Sequence, residues 1–233
     1  MSANNQSAQG GDNHINLYEP HVWKHHTKVA GLEWKNPVGT ASGTFQYAAV
    51  RWFYDVSQLG AVCTKGASPV PWEGNPSPRT AESPAANINA VGLQNPGIDH
   101  YLAEDLPKLK AAGAFVISNV AGHCDDDYAA VVEKLADSDA DMLEINVSCP
   151  NVSAGGMSVG TDPVALANLM DRLRPMTDKP MIVKLTPNVT DITVPARAAV
   201  EHGADALSMI NTLKGMRINI RTCLLYTSDA ADE

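Results

Sequence analysis

The sequence predicts an α/β fold, a (β/α)8 barrel that is incomplete here, with about six of the eight strand–helix units. Short apolar runs without strict polar alternation, typical of parallel strands buried on both faces, alternate with stretches of helical periodicity. Three Gly-Ala pairs, at Gly60, Gly113 and Gly203, stand where a helix is expected to end in a left-handed residue before the next strand. A doubly wound sheet is the alternative, and the absence of a GxGxxG motif after the first strand weakens it.

Six apolar runs are the predicted strands, and a short hairpin is expected before them at 29–38. The strands are predicted at 38–41, 61–65, 115–119, 142–146, 181–185 and 206–211. Six units fall short of the eight that close a barrel, so two strand edges are expected to lack their barrel partners.

Three of the intervening helices have clear start signals. One is predicted from Asp125, because the apolar residues that follow it recur at helical spacing. Thr161-Asp162-Pro163 is expected to cap a second, with Pro in its first turn. A third is predicted from Asp191 to Gly203.

Composition excludes several classes of protein. With 44% hydrophobic and 18% charged residues among 233, the chain can bury a large core and is not disordered. The net charge of -9 argues against nucleic-acid binding, which needs a basic face. No apolar run approaches the roughly 18 residues of a membrane span, and no signal peptide is evident, so we predict a cytoplasmic protein. The four cysteines share no metal-ligand spacing, so no metal site is expected.

Polar side chains end every predicted strand. In a parallel barrel the carboxyl ends of the strands meet at one mouth, so these residues are expected to lie together. They are Ser42-Gly43, Lys65-Gly66, Asn119, 146–151, Lys184 and Asn211-Thr212. Lys65 and Lys184 need anionic partners in such a buried place, for example a phosphate, a carboxylate or a reduced flavin ring.

Cys149 lies just past a predicted strand, in a segment rich in hydrogen-bonding side chains. It is either an inert buried thiol or a reactive group. Since no histidine is near it in sequence, a role as proton acceptor is more plausible than one as acylated nucleophile. Segment 87–97 is either a turn-rich loop or a loop that brings backbone donors to a planar polar ligand.

Seven segments together resemble one enzyme family, the class 1 dihydroorotate dehydrogenases. They are TASGTF (40–45), TKG (64–66), GNPSPR (74–79), NAVGLQNPG (89–97), NVSCPN (146–151), VKLTPN (183–188) and INTLKGM (210–216). The GLQNPG and NTLKGM versions look like the NAD-linked subgroup, class 1B. The resemblance runs in order from about residue 29 to 222.

The resemblance implies an FMN-dependent barrel that oxidises (S)-dihydroorotate to orotate in de novo pyrimidine (UMP) biosynthesis. In this subgroup electrons pass to NAD through a second subunit that carries FAD and a 2Fe-2S cluster. The expected assembly is a heterotetramer of two catalytic and two electron-transfer subunits. No cysteine pattern here could hold that cluster, consistent with its location on the partner.

The resemblance also implies a role for each site residue. Cys149 would be the catalytic base that takes a proton from C5 of the substrate. FMN would be held by Ser42, Lys65, Gly66, Asn119, Asn146, Lys184 and Ile210. The substrate would be held by Lys65, Asn89, Val91, Gly92, Leu93, Asn146, Asn151, Asn211 and Thr212.

Three regions are predicted along the chain. Residues 1–27 form a disordered extension, 28–222 the FMN-binding barrel domain, and 223–233 resemble a sequencing adapter translated in frame. The family would continue through strands seven and eight, with turns for the FMN phosphate. We therefore expect residues 1–233 alone not to form a stable flavoprotein.

Other functions compete with this interpretation. A fumarate-linked class 1A enzyme is the nearest, followed by a flavin barrel similar to dihydropyrimidine dehydrogenase. A barrel with lysines at its strand ends could also be a Schiff-base aldolase using Lys65 or Lys184. A fragment without function is the non-enzymatic alternative.

Overall fold

The computed structural model describes residues 26–148, 159–221 and 224–228. Its strands are β1 Thr27–Val29, β2 Leu32–Trp34, β3 Val62–Cys63, β4 Thr80–Ser83, β5 Ala86–Asn89, β6 Val116–Val120, β7 Met142–Asn146, β8 Met181–Leu185, β9 Ala206–Met209, β10 Gly215–Asn219 and β11 Leu224–Ser228. Its helices are α1 Tyr47–Val50, α2 Ile98–His100, α3 Leu106–Ala111, α4 Asp125–Ala136, α5 Pro163–Leu173 and α6 Thr193–Glu201. A π-helical turn at Tyr101–Asp105 joins α2 to α3. None of the helices among these residues is long and apolar enough to cross a membrane.

The centre of the fold is a five-stranded sheet in the order β3-β6-β7-β8-β9. Every neighbouring pair in it is parallel, which confirms the predicted parallel sheet. Three two-stranded antiparallel hairpins, β1-β2, β4-β5 and β10-β11, complete the strands of the described residues. The β10-β11 hairpin includes part of the segment predicted to be a translated adapter, and β1 begins at the last residue of the predicted N-terminal extension.

The first predicted strand, 38–41, is wrong in extent. Only Gly39 pairs there, in an isolated parallel bridge to Ala61. The Thr40 hydroxyl accepts from the Cys63 amide at 2.9 Å and donates to the Cys63 carbonyl at 3.2 Å. Because this side chain occupies the backbone groups of the neighbouring strand, the ladder stops after one bridge.

Local capping signals explain where the helices begin. The Asp162 carboxylate accepts from the Val164 amide at 2.9 Å, and Pro163 opens α5 as predicted. Helix α6 begins two residues later than predicted, because Asp191 instead forms a turn in which its carboxylate accepts from the Thr193 amide at 2.9 Å. Helix α4 begins at Asp125 as predicted.

The glycine junctions were predicted correctly at two of three places. Gly113 and Gly203 have φ of 75° and 98° and end their helices in the left-handed region. Gly60 does not: it follows a short 3-10 turn and lies outside that region. It is glycine because a Cβ there would clash with the Asn36 carbonyl oxygen. The Asn36 side chain reinforces this approach by accepting from the Gly60 amide at 3.1 Å.

Gly60→Ala should therefore destabilise the fold by roughly 3 kcal/mol, because the added methyl forces two backbones apart. Denaturant unfolding of the full-length gene product measures the change. Gly215→Ala is the matched control, since a Cβ there meets nothing within 4 Å. Equal stability of the two variants would contradict the proposed clash.

The two faces of the sheet pack against different elements. One face packs against the helices in the main core, which includes Val62, Leu143 and Val183. On the other face, Ile117, Met142 and Ile182 form an apolar layer that the β1-β2 hairpin covers. Since side chains alternate along a strand, the next residues on this second face stand closer to the carboxyl ends, and they are polar. They are Asn119, Glu144, Asn146 and Lys184.

Tyr101, on the helix-covered face, makes a pH-dependent contribution to the stability of the fold. Its hydroxyl lies 2.5 Å from the Ser118 hydroxyl, and burial raises its pKa to about 12. The unfolded tyrosine ionises near pH 10, so the folded state holds this proton more tightly. The stability that it contributes is complete below pH 10 and is lost as the pH rises to about 12.

Tyr101→Phe should reduce the loss of unfolding free energy that the wild type shows between pH 10 and 12. Between pH 10 and 12 the wild type should lose about 3 kcal/mol more than the variant does, as measured by denaturant unfolding at each pH. Parallel profiles for the two proteins would show that the Tyr101 proton is not held by the fold.

Candidate active site

Buried polar side chains meet at the carboxyl ends of the sheet strands. Asn119 lies on β6, Asn146 ends β7 and Lys184 lies on β8, where the strand register pairs it with Asn146. Ser42 and Asn211, from the loops after the Gly39 bridge and after β9, are equally buried. Five of the predicted site residues therefore lie at one end of the sheet.

Lys184 places a cation inside this end of the sheet. Its side chain is only 3% exposed, and its Nζ donates to the Ser42 hydroxyl at 3.0 Å. A buried ammonium strongly favours a nearby anion. The pair was predicted on separate strand ends, and the structure brings them into contact.

Asn146 and Asn211 form a second contact between predicted residues. The Asn211 amide nitrogen donates to Asn146 Oδ1 at 2.8 Å, and the Ser148 backbone amide donates to the same oxygen at 3.3 Å. These two donors fix the orientation of the Asn146 amide group. Its Nδ2 is consequently a buried donor with no partner among the described residues.

Glu144 is a buried site residue that the sequence reasoning missed. Its Oε1 accepts from Asn119 Nδ2 at 2.6 Å and from the Cys63 thiol at 3.3 Å. A carboxylate only accepts, so it turns the Asn119 amide nitrogen inward. Asn119 Oδ1 then has no partner in the described part of the chain, and it lies 2.7 Å from where a Cβ of Gly66 would be. The signal was available: Glu144 shares its strand face with Asn146.

Together these groups form a buried polar surface whose donors and acceptors suit a flat polar ligand. Asn119 presents a carbonyl oxygen, Asn146 an amide nitrogen, and Ser148 a buried hydroxyl that also lacks a partner among the described residues. Unsatisfied buried polar atoms are rare and costly, so such a set is typical of a site that a ligand completes. Lys184 adds a positive charge. The set fits a heterocycle with donors, acceptors and developing negative charge.

Residues 89–97 form a loop beside this surface that its own side chains brace, called here the 89–97 loop. Leu93 is 2% exposed, packs on Ala121 just past β6, and has φ of 53°. The Asn95 side chain holds the loop from within, since its Oδ1 accepts from the Gly97 amide at 2.9 Å and its Nδ2 donates to the Leu93 carbonyl at 2.8 Å. Asn89 is half-buried, and its side-chain oxygen has no partner among the described residues.

The remaining predicted residues occupy three kinds of position. Lys65 and Gly66 line a cavity of about 400 Å³ between β3, α1 and α3. Ile210 is 45% exposed. The Thr212 carbonyl accepts from the Asn188 side-chain Nδ2 at 2.9 Å. Cys149 and Asn151 lie outside the described residues. The described residues contain no group of three His, Cys, Asp or Glu side chains that could hold a metal.

Comparison with known proteins decides the family. A family model described as "Dihydroorotate dehydrogenase" matches residues 24–228. The chain belongs to the dihydroorotate dehydrogenase family. The resemblance drawn from the seven segments is thereby confirmed.

Individual relatives in this family support the subgroup. The chain is 52% identical over 196 residues to "Dihydroorotate dehydrogenase B (NAD(+)), catalytic subunit" of Alkaliphilus metalliredigens, and 51% identical over 196 residues to the protein of the same name from Lachnoclostridium phytofermentans. It is 49% identical over 195 residues to a "Putative dihydroorotate dehydrogenase A (fumarate)" of Aquifex aeolicus. The matches cover 82%, 82% and 83% of this chain, and the chain spans 64% of the length of each relative.

Proposed function

We propose that this protein is the catalytic subunit of an NAD-linked, class 1B dihydroorotate dehydrogenase. It oxidises (S)-dihydroorotate to orotate in de novo pyrimidine biosynthesis. The observation that carries the proposal is the buried set of oriented polar groups beside a buried lysine, on a chain of this family.

The residues at the strand ends fit FMN. The outward oxygen of Asn119 suits a ring N–H, and the outward nitrogen of Asn146 suits a ring carbonyl or nitrogen. Gly66 leaves the approach to Asn119 open, because a side chain there would press on its oxygen. Bound FMN supplies the acceptor for a hydride from C6 of the substrate. In this proposal its holders are Ser42, Lys65, Gly66, Asn119, Asn146, Lys184 and Ile210.

Substrate binding is assigned to residues beside the same surface. A hydrogen bond joins the side chains of Asn146 and Asn211, and it fixes the orientation of both amide groups before the substrate binds. The full set is Lys65, Asn89, Val91, Gly92, Leu93, Asn146, Asn151, Asn211 and Thr212. Cys149 follows Asn146 by three positions and serves as the base: its sulfur takes the C5 proton as the C6 hydride leaves, which creates the C5=C6 double bond of orotate.

The wider assembly follows from the same assignment. The five parallel strands and the bridge at Gly39 are consistent with part of a (β/α)8 barrel. The names of the relatives, which specify a catalytic subunit, support a separate partner. We assign to that partner FAD and a 2Fe-2S cluster, in a cytoplasmic heterotetramer of two subunits of each kind.

The choice of electron acceptor tests the proposal. The full-length gene product should form orotate with NAD only when the iron–sulfur partner is present, and fumarate should not replace NAD. The Aquifex aeolicus relative, named for fumarate, makes the class 1A enzyme the second candidate. Orotate formation with fumarate and no partner would establish that candidate instead. No orotate formation with either acceptor would reject both.

A further inference from the structure

Trp72 and His123 form a stacked pair at the rim of the candidate site, called here the Trp72–His123 stack. Their ring centroids are 3.8 Å apart, and their planes differ by 14°. Both side chains are half-buried. His123 lies three residues past the end of β6, and its backbone amide donates to the Asp127 carboxylate on α4 at 2.8 Å. The stack is therefore fixed on its His123 side to the sheet and to a helix.

The Trp72 side of the stack is joined to the 89–97 loop. The backbones of Trp72 and Asn95 exchange hydrogen bonds of 3.0 and 3.1 Å. Three residues further on, the Asn75 amide donates to the Val91 carbonyl at 3.0 Å, and the Asn75 side chain donates to the Ala90 carbonyl at 3.0 Å. Segment 72–75 thus sets the backbone course of residues 90–95.

Leu93 lies beneath the stack and has the least favourable backbone conformation in the loop. Trp72 packs against the small cluster of Leu93 and Ala121. Leu93 has φ of 53°, a region that residues other than glycine adopt only when surrounding contacts enforce it. Burial of Leu93 under Trp72 is such a contact, so loss of the indole should release this conformation.

We propose that the Trp72–His123 stack is a positioning device that holds Val91, Gly92 and Leu93 in the conformation that binds the substrate. The inference rests on the proposed function, in which these three residues contact the pyrimidine. The stack itself touches neither substrate nor FMN in this proposal. It acts by keeping the loop from sampling other conformations, so it affects the affinity for orotate and leaves the affinity for FMN unchanged.

Two measurements on the full-length, FMN-loaded gene product test the proposal. The first is the dissociation constant of orotate from the change in flavin absorption, and the second is amide hydrogen exchange in a peptide covering 89–97 without ligand. Trp72→Ala should weaken orotate binding about tenfold and speed exchange about tenfold, and His123→Ala should shift both in the same direction. Trp72→Phe and His123→Phe, which keep a stacked pair, should stay within twofold of the wild type in both.

Trp52→Ala is the matched control, because Trp52 is 75% exposed and its ring contact is with Arg51 rather than with the stack. It should change neither measurement. Unchanged orotate affinity in both alanine variants would overturn the inference, and His123→Ala decides alone if Trp72→Ala does not fold. A wild-type protein whose flavin spectrum does not respond to orotate would contradict the proposed function, whereas the exchange rates would still show whether the stack anchors the loop.

Discussion

Replacing Cys149 with serine should slow the reduction of bound FMN by dihydroorotate by about 10² to 10⁴, the usual contribution of a positioned general base. A serine hydroxyl is a much weaker acid than a thiol, so it provides almost no anionic base near neutral pH. FMN should remain bound, because its proposed holders on β6, β7 and β8 are unchanged. Stopped-flow bleaching of the flavin measures the rate.

Cys124→Ser is the control for this experiment. Cys124 precedes α4 and contributes no side-chain cap to it, so the rate should stay at the wild-type value. The wild-type rate should also fall as the pH is lowered, because the base must be deprotonated to take the C5 proton. A serine variant at position 149 that reduces its flavin at nearly the wild-type rate would remove Cys149 from the mechanism.

The elements that sequence reasoning predicted well have short-range causes. The start of α5 follows from Asp162 and Pro163, which act within one turn of the chain. The predicted strand at 38–41 failed because its pairing depends on the Thr40 side chain and on Cys63, far along the chain. Gly60 similarly meets Asn36 only in the folded state. The local Gly-Ala pattern predicted a left-handed helix end at Gly60, whereas the glycine is required by a close contact that only the fold creates.

The candidate site shows the same limit. Strand-end positions were sufficient to predict that Asn146, Asn211 and Lys184 share one mouth, because parallel strands place their carboxyl ends together. The position of Glu144 on the same strand face as Asn146 was a signal for this residue, whereas only the fold brings its partners Asn119 and Cys63 to it. The orientation of an amide group depends on such neighbours, so the outward oxygen of Asn119 could not be predicted from the sequence.

Replacing Lys184 with methionine, which keeps the length of the side chain but removes its charge, should weaken FMN binding and lower the reduction potential of the flavin. A cation next to the ring stabilises the negative charge that reduction creates, and the effect is strong in a site as buried as this one. Loss of about 1.4 kcal/mol of this stabilisation corresponds to about 30 mV for a two-electron couple, so we expect a shift of at least that size. Equilibration with a reference dye measures the potential.

Two further variants separate the charge of Lys184 from its hydrogen bond. Ser42→Ala removes the hydroxyl that accepts from Lys184 Nζ but leaves the cation in place, so the potential should change much less than in Lys184→Met. Lys28→Ala, at an exposed lysine paired with Glu33, should leave both the potential and FMN affinity unaltered. If Lys184→Met lowered the potential no more than Ser42→Ala does, Lys184 would act by orienting Ser42. The charge at the end of β8 would then not face the flavin ring.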